Sequence, residues 1–377
     1  MTSGSRPKTK NRSHAGNKAR QTPSLAPAEE LAQVDGEILQ LLKRRAELAL
    51  QLYQQDPRLF SGPESWKNQE VWLEGLLSRA EGPLPERTLR AILLELAAGC
   101  RQICKPVRVA YLGPAYSYSH LAAMHHFGQS AELVSVGTIA AVFEEVNRGQ
   151  SDYGLVPLEN STDGRVADTL EMFARLPVRI CGQVELVIHH ALLARCKREE
   201  IREVYSRPQA LSQCRNWLAR HLPGVKTVEV TSTSAAAQLA SEKPGAAAIA
   251  SVQAGIHYQL NIIAECIEDN PNNTTRFAVI GMRSAPPTGN DLTAMMFQVE
   301  HRPGALADAM MVFKRNGLNL TWIESFPVPG TRGAYLFFVE MEGHETDPVV
   351  ERAFAQLKKK TLRLEMLGSY PVTEPIG

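Results

Sequence analysis

Three short polar segments carry the side chains that could do chemistry: GPAYSYSH at 113–120, VPLENSTDG at 156–164 and NNTTRF at 272–277. The first lies between an apolar run and a helical pattern. A loop in that place offers backbone N–H groups and hydroxyls (Ser117, Tyr118, Ser119, His120) to a carboxylate or phosphate. The simpler reading is an N-cap by Ser119 for a helix starting near Leu121. The second segment sets Glu159 beside Asn160, Ser161 and Thr162, more hydroxyl and amide groups than one cap needs. In the third, Arg276 enters a strand beside hydroxyls, which suits carboxylate recognition; a surface turn before an edge strand would read the same way. Each segment is weak alone, but together they sit where an open α/β sheet binds ligands.

Several chemistries lack support. There is no G-x-G-x-x-G after a strand, no G-x-x-x-x-G-K-[ST] and no G-x-S-x-G. The paired histidines, His125-His126 and His189-His190, are sequence neighbours and would point to opposite faces of a strand. No cofactor and no metal site is expected. The six cysteines form no C-x-x-C pair, which fits reduced thiols in the cytoplasm.

The elements that must position these groups fall into three parts. Apolar residues at helical spacing predict helices over Ala28–Gln54, Trp66–Arg79 and Glu86–Ile103. Three such helices bury little surface alone, so pairing with a second copy is expected. From Val107 to about 283, short apolar runs alternate with helical stretches, predicting an α/β domain with a largely parallel sheet. After the Pro/Gly boundary at 285–290, the pattern reads strand, helix, strand, strand, helix, strand, the ferredoxin-like order. The expected divisions are a disordered basic tail (1–27), a helical domain (28–104), the α/β domain (107–283) and the C-terminal unit (291–370).

The charge is uneven. Residues 1–28 hold six Lys/Arg and no acid, leaving 35 basic against 40 acidic side chains elsewhere. No aromatic residue interleaves with the basic ones, so nucleic-acid binding is not expected. No apolar run approaches the ~18–20 residues of a membrane span, and the first residues do not read as a secretory signal.

The three polar segments resemble, in order and spacing, signature segments of prephenate dehydratases. The runs Ile188-His-His-Ala-Leu-Leu193, 204–209 to Gln213-Cys214, and 232–236 agree with that family. The resemblance spans about 107–283 and implies an α/β two-lobed, type II periplasmic-binding-like catalytic domain that turns prephenate into phenylpyruvate, water and CO2. It implies Thr275 as the catalytic hydroxyl, with Glu159 as a proton relay. Arg276 is the expected carboxylate anchor, and Asn160, Ser161, Thr162, Ser206, Gln213, Thr233 and Ser234 the expected cleft lining. A non-catalytic amino-acid sensor on the same fold would need only the anchors; Thr275 and Glu159 favour an enzyme.

The C-terminal unit resembles the ACT regulatory domain of these enzymes. Gly304, Ala305 and Leu306, with Glu324 and Ser325, match its effector-binding segments, implying feedback by phenylalanine. Phe326 stands where that family usually has Arg. The helices resemble the chorismate mutase often fused to these dehydratases. Asp35 and Arg45 match its long helix. Yet its other charged positions fall at Ala28 and Asp56, and near Ser65, Asn68 and Gln69, and its third-helix Ser and Gln fall near Ala97 and Arg101. The resemblance therefore implies a degenerate mutase acting as scaffold in a homodimer or homotetramer. The alternative is a bifunctional enzyme with an active mutase.

Overall fold

The computed structural model describes residues 27–60, 63–162, 164–328 and 334–376. The basic tail lies outside the described residues, apart from Pro27. Three helices come first: α1 (Pro27–Gln55), α2 (Pro63–Leu77) and α3 (Glu86–Cys104). α1 has no buried residue, and its apolar row Leu31, Val34, Ile38 and Leu41 is exposed. α2 and α3 bury Leu73, Leu77, Ala98 and Cys100.

The α/β part forms two lobes. The first contains β1 (Arg108–Leu112), α4 (Tyr118–Phe127), β2 (Glu132–Val136), α5 (Ile139–Asn147), β3 (Tyr153–Asn160), β4 (Gly164–Arg165), α6 (Ala167–Arg175) and β5 (Arg179–Val187). The second contains β6 (Ala191–Ala194), β7 (Glu203–Ser206), α7 (Pro208–Gln213), α8 (Arg215–His221), β8 (Lys226–Glu229), α9 (Thr233–Glu242), β9 (Ala246–Ala250), α10 (Val252–His257) and β10 (Asn261–Ala264). The chain then returns to the first lobe as β11 (Thr274–Gly281). The strand orders are β2-β1-β3-β11-β5, with β4 on β3, and β10-β6-β9-β7-β8.

These sheets are mixed, which corrects the expectation of a largely parallel one. β11 runs antiparallel to both β3 and β5, and β6 antiparallel to both β9 and β10. The cause is connectivity. The chain crosses between lobes at 188–190 and again at 265–273, so each sheet receives a strand from the opposite direction. Helix α4 also starts earlier than expected. Ser117, not Ser119, is its N-cap, accepting from the His120 N–H.

The last part contains β12 (Asp291–Gln298), α11 (Ala305–Asn316), β13 (Leu320–Pro327), β14 (Tyr335–Glu342), α12 (Pro348–Leu357) and β15 (Arg363–Pro371), in the expected order. Its sheet runs β13-β14-β12-β15. One face packs Met295, Phe297, Val339 and Met341 under α11 and α12. The other packs Ala294, Met296, Phe338, Leu367 and Tyr370 against Phe173, Ile180, Ala278 and Ile280 of the first lobe. Alternation along each strand makes both faces apolar, so the sheet is a middle layer. Gly368 permits the closest approach: a Cβ there would lie 2.1 Å from the Ile180 carbonyl oxygen.

Candidate active site

The polar segments meet where the chain crosses between lobes. Register pairs Thr275 on β11 with Asn160 on β3. The Asn160 Nδ2 donates to Thr275 Oγ1 at 2.8 Å and to Asn273 Oδ1 at 3.1 Å. Thr162 Oγ1 donates to the same Asn273 oxygen at 3.2 Å, and Ser161 Oγ accepts from the Thr274 N–H at 3.0 Å. Asn273 is buried, and its Nδ2 donates to Gln213 Oε1 at 3.2 Å. That oxygen lies 2.9 Å from His190 Nε2, and His190 Nδ1 lies 2.8 Å from the Tyr118 hydroxyl. A continuous chain of hydrogen bonds thus links Thr275 to both lobes.

Burial sets the protonation of this chain. It pushes the His190 pKa down, against the opposing pull of Gln213 and Glu268, so the ring is neutral near pH 7. It also pushes the Tyr118 phenol well above its ordinary range. His120 is likewise lowered by burial, with His257 adding to the effect. Its Nδ1 accepts from the Tyr116 N–H at 2.9 Å, and its ring stacks on Tyr111.

The lobes touch at a second place. Ser234 Oγ donates to the Ala115 carbonyl at 2.5 Å, and Tyr116 stacks on His257 with centroids 4.0 Å apart. Thr233 and Ser234 open α9, which is capped by Ser232. The first turn of α9 therefore meets the loop that caps α4. Ser119 is buried. Ser206 is buried too, but it spends its hydroxyl on the Ile249 carbonyl within the second lobe.

Two expected roles are corrected. Successive side chains of a strand point to opposite faces, so Arg276 leaves the face that carries Thr275. Its guanidinium lies 2.6 Å from Glu340 and 3.2 Å from Glu159, above the Trp322 ring. Glu159 is Arg276's register partner and shares its face. Both groups lie on the face of the sheet opposite Thr275 and Asn160. Burial opposes the Arg276 charge, but the carboxylates outweigh it and hold the pKa above the usual value.

Glu324, expected at the effector segment, is turned toward the first lobe. Its carboxylate lies 2.7 Å from Arg165, at the base of the 160–165 loop. Ser325 points the other way and is exposed. Gly304 precedes α11 with φ of 81°, Ala305 is buried and Leu306 packs against the α11–α12 core. Phe326 is buried 5.9 Å from Phe338, on the face against the first lobe.

Asn273, His190, Tyr116 and His257 had no role assigned from sequence. Asn273 was legible inside the NNTTRF segment. The others are single aromatic or imidazole residues whose partners lie far along the chain. In the helical part, Arg101 is buried and donates to Gln69, while Asp56 pairs with Arg58 at 2.8 Å. The side chains of Ser65 and Asn68 lie outside the described residues.

Fold and site together define a two-lobed α/β protein with a network of hydroxyl and amide side chains at the lobe crossing. The prephenate dehydratase family model matches residues 109–285. A bifunctional chorismate mutase/prephenate dehydratase from Aquifex aeolicus is 41% identical over 349 residues, covering 91% of this chain and 96% of the relative. The chain belongs to the prephenate dehydratase family. Among solved structures, the prephenate dehydratase of Arthrobacter aurescens in complex with L-Phe has a TM-score of 0.66 at 33% identity, covering 71% of this chain and 90% of that one. GqqA, named as a novel type of quorum-quenching acylase, has a TM-score of 0.65 at 29% identity, covering 70% of this chain and 98% of that one.

Proposed function

We propose that the chain converts prephenate to phenylpyruvate, water and CO2 in the cleft at Thr275. The observation that carries this reading is the Asn160–Thr275 pair. Because the amide donates to Oγ1, the threonine hydrogen points elsewhere and serves as a donor. Its target is the departing 4-hydroxyl of the substrate, which leaves as water after taking a proton delivered from solvent in the cleft. The bond to the ring carboxylate breaks, CO2 leaves, and its electron pair completes the aromatic ring. Arg276 is turned to the far face, so it does not neutralise the ring carboxylate, whose poor solvation favours its loss. The N-termini of α4 and α9 meet across the lobes and offer N–H groups to the pyruvyl carboxylate of the substrate.

The βαββαβ part is read as a ferredoxin-like ACT unit, and the two lobes as a type II periplasmic-binding-like domain. The unit binds phenylalanine at Gly304, Ala305, Leu306 and Ser325 and lowers turnover. This is supported by the match to a dehydratase solved with L-Phe. Glu324 acts from its contact with Arg165 rather than on the effector.

The helical part is proposed as a scaffold for a cytoplasmic homodimer or homotetramer. The exposed row Leu31, Val34, Ile38 and Leu41 suits a second copy. Chorismate is a dicarboxylate whose rearrangement needs cations at its carboxylates; two positions where the mutase family has cations hold Ala28 and Asp56. Purified protein given chorismate and prephenate separately tests both readings. Phenylpyruvate from prephenate with no loss of chorismate supports them. Rapid conversion of chorismate would make the enzyme bifunctional, and no product from prephenate would remove the dehydratase reading.

A further inference from the structure

The two crossings between lobes carry a second group of reactive side chains, outside the dehydratase cleft. His189 lies on the first crossing, and Cys266 and Glu268 on the second. A ring nitrogen of His189, Cys266 Sγ and a Glu268 oxygen all lie within 4.8 Å of one another. His189 and its sequence neighbour His190 do not pair; the fold supplies other partners. The Glu268 carboxylate is almost fully buried, with 1% exposure, and is held twice: Oε1 lies 2.7 Å from His189 Nδ1, and Oε2 accepts from the His190 N–H at 2.8 Å. His189 and Cys266 remain exposed, so the group has an open side.

We infer that His189, Cys266 and Glu268 form a site for a thiophilic divalent cation of the Zn2+ class, which ties the two lobe crossings together. The donor set is one nitrogen, one sulfur and one carboxylate oxygen, which suits zinc and disfavours magnesium or calcium. Tetrahedral ligands at about 2.0–2.3 Å sit roughly 3.3–3.8 Å apart. The widest pair closes by about 1 Å, and the His189–Glu268 hydrogen bond opens to admit the ion. The fourth position takes water on the exposed side. Binding releases the Cys266 thiol proton.

The position gives the ion a mechanical effect. Glu268 holds the His190 backbone, and the His190 ring continues through Gln213, Asn273 and Asn160 to Thr275. An ion fixing Glu268 to His189 and Cys266 stiffens both crossings. Opening and closing of the lobes slow, and turnover falls. The turnover effect rests on the dehydratase reading; the binding does not.

The test uses full-length protein freed of metal with a chelator. Cd2+ is the probe, because a cadmium–thiolate bond absorbs in the ultraviolet. The expected result is one Cd2+ per chain, displaced by Zn2+. Cys266→Ser removes the band while keeping metal-free turnover. His189→Ala retains the thiol and weakens binding at least tenfold. No band in the wild type would overturn the site, as would equal affinity in His189→Ala, which would mean a lone thiol. Zn2+ is expected to slow wild-type turnover reversibly and to spare Cys266→Ser. Unchanged wild-type turnover with zinc bound would overturn the clamp.

Discussion

The Arg276 guanidinium lies 2.6 Å from the Glu340 carboxylate, on the face of β11 opposite Thr275. One strand therefore carries the Thr275 hydroxyl on one side and its tie to the C-terminal sheet on the other. Glu340 is buried, accepts from the Tyr370 hydroxyl and from Thr321 Oγ1, and keeps only 3% of its side chain exposed. This ion pair and Arg165–Glu324 join the C-terminal sheet to the two segments that hold Thr275 and Asn160.

Glu340→Gln keeps the volume and removes the charge. Glu159 still faces Arg276, so the loss approximates one charge-assisted hydrogen bond, about 1.5–3 kcal/mol. Urea unfolding measures it. Inhibition by phenylalanine weakens severalfold, with the KM for prephenate nearly unchanged, and Glu340→Asp restores part of the inhibition. Unaltered inhibition in Glu340→Gln would place the coupling elsewhere.

Much of this arrangement was legible in the sequence, and its limits have physical causes. The βαββαβ order and the three polar segments followed from periodicity and local chemistry. The direction of Arg276 and Glu159 did not, because residue type does not show which face of a strand looks into the cleft. Strand alternation makes Asn160 and Thr275 one pair, and Glu159 and Arg276 the other. The mixed sheets were missed because apolar runs carry no strand direction. Phe326 is explained by its place: the position faces the first lobe and lies among Phe338 and its neighbours, where an aromatic ring packs.

The proposed phenylalanine site rests on the loop before α11. Gly304 has φ of 81°, a conformation a β-branched residue does not readily adopt. Gly304→Val therefore displaces the N–H groups offered to the effector carboxylate. Calorimetry on the wild type gives binding heat at up to millimolar phenylalanine, and the variant gives little or none. Equal binding by both would move the site away from this loop.

Acid sensitivity follows from His126. Burial, with smaller contributions from Arg101 and His125, pushes its pKa from 6.5 down to about 3. Between those values the unfolded chain holds a proton that the folded chain does not. The folded state thus loses up to about 1.4 kcal/mol per pH unit as pH falls below about 6.5. His126→Gln removes that dependence. Urea unfolding at pH 7, 6 and 5 is expected to show a shallower slope for the variant, and parallel slopes would contradict the assignment.

Thr275→Ala tests the account at its centre. Full-length wild type and variant receive prephenate, and phenylpyruvate and CO2 are measured together. The wild type is expected to release one of each per prephenate consumed. Losing one transition-state donor costs about 2.7–4 kcal/mol, so kcat in the variant falls about a hundred- to a thousandfold, while KM changes little. A variant within a few-fold of the wild type would contradict the role of Thr275 and the mechanism built on it.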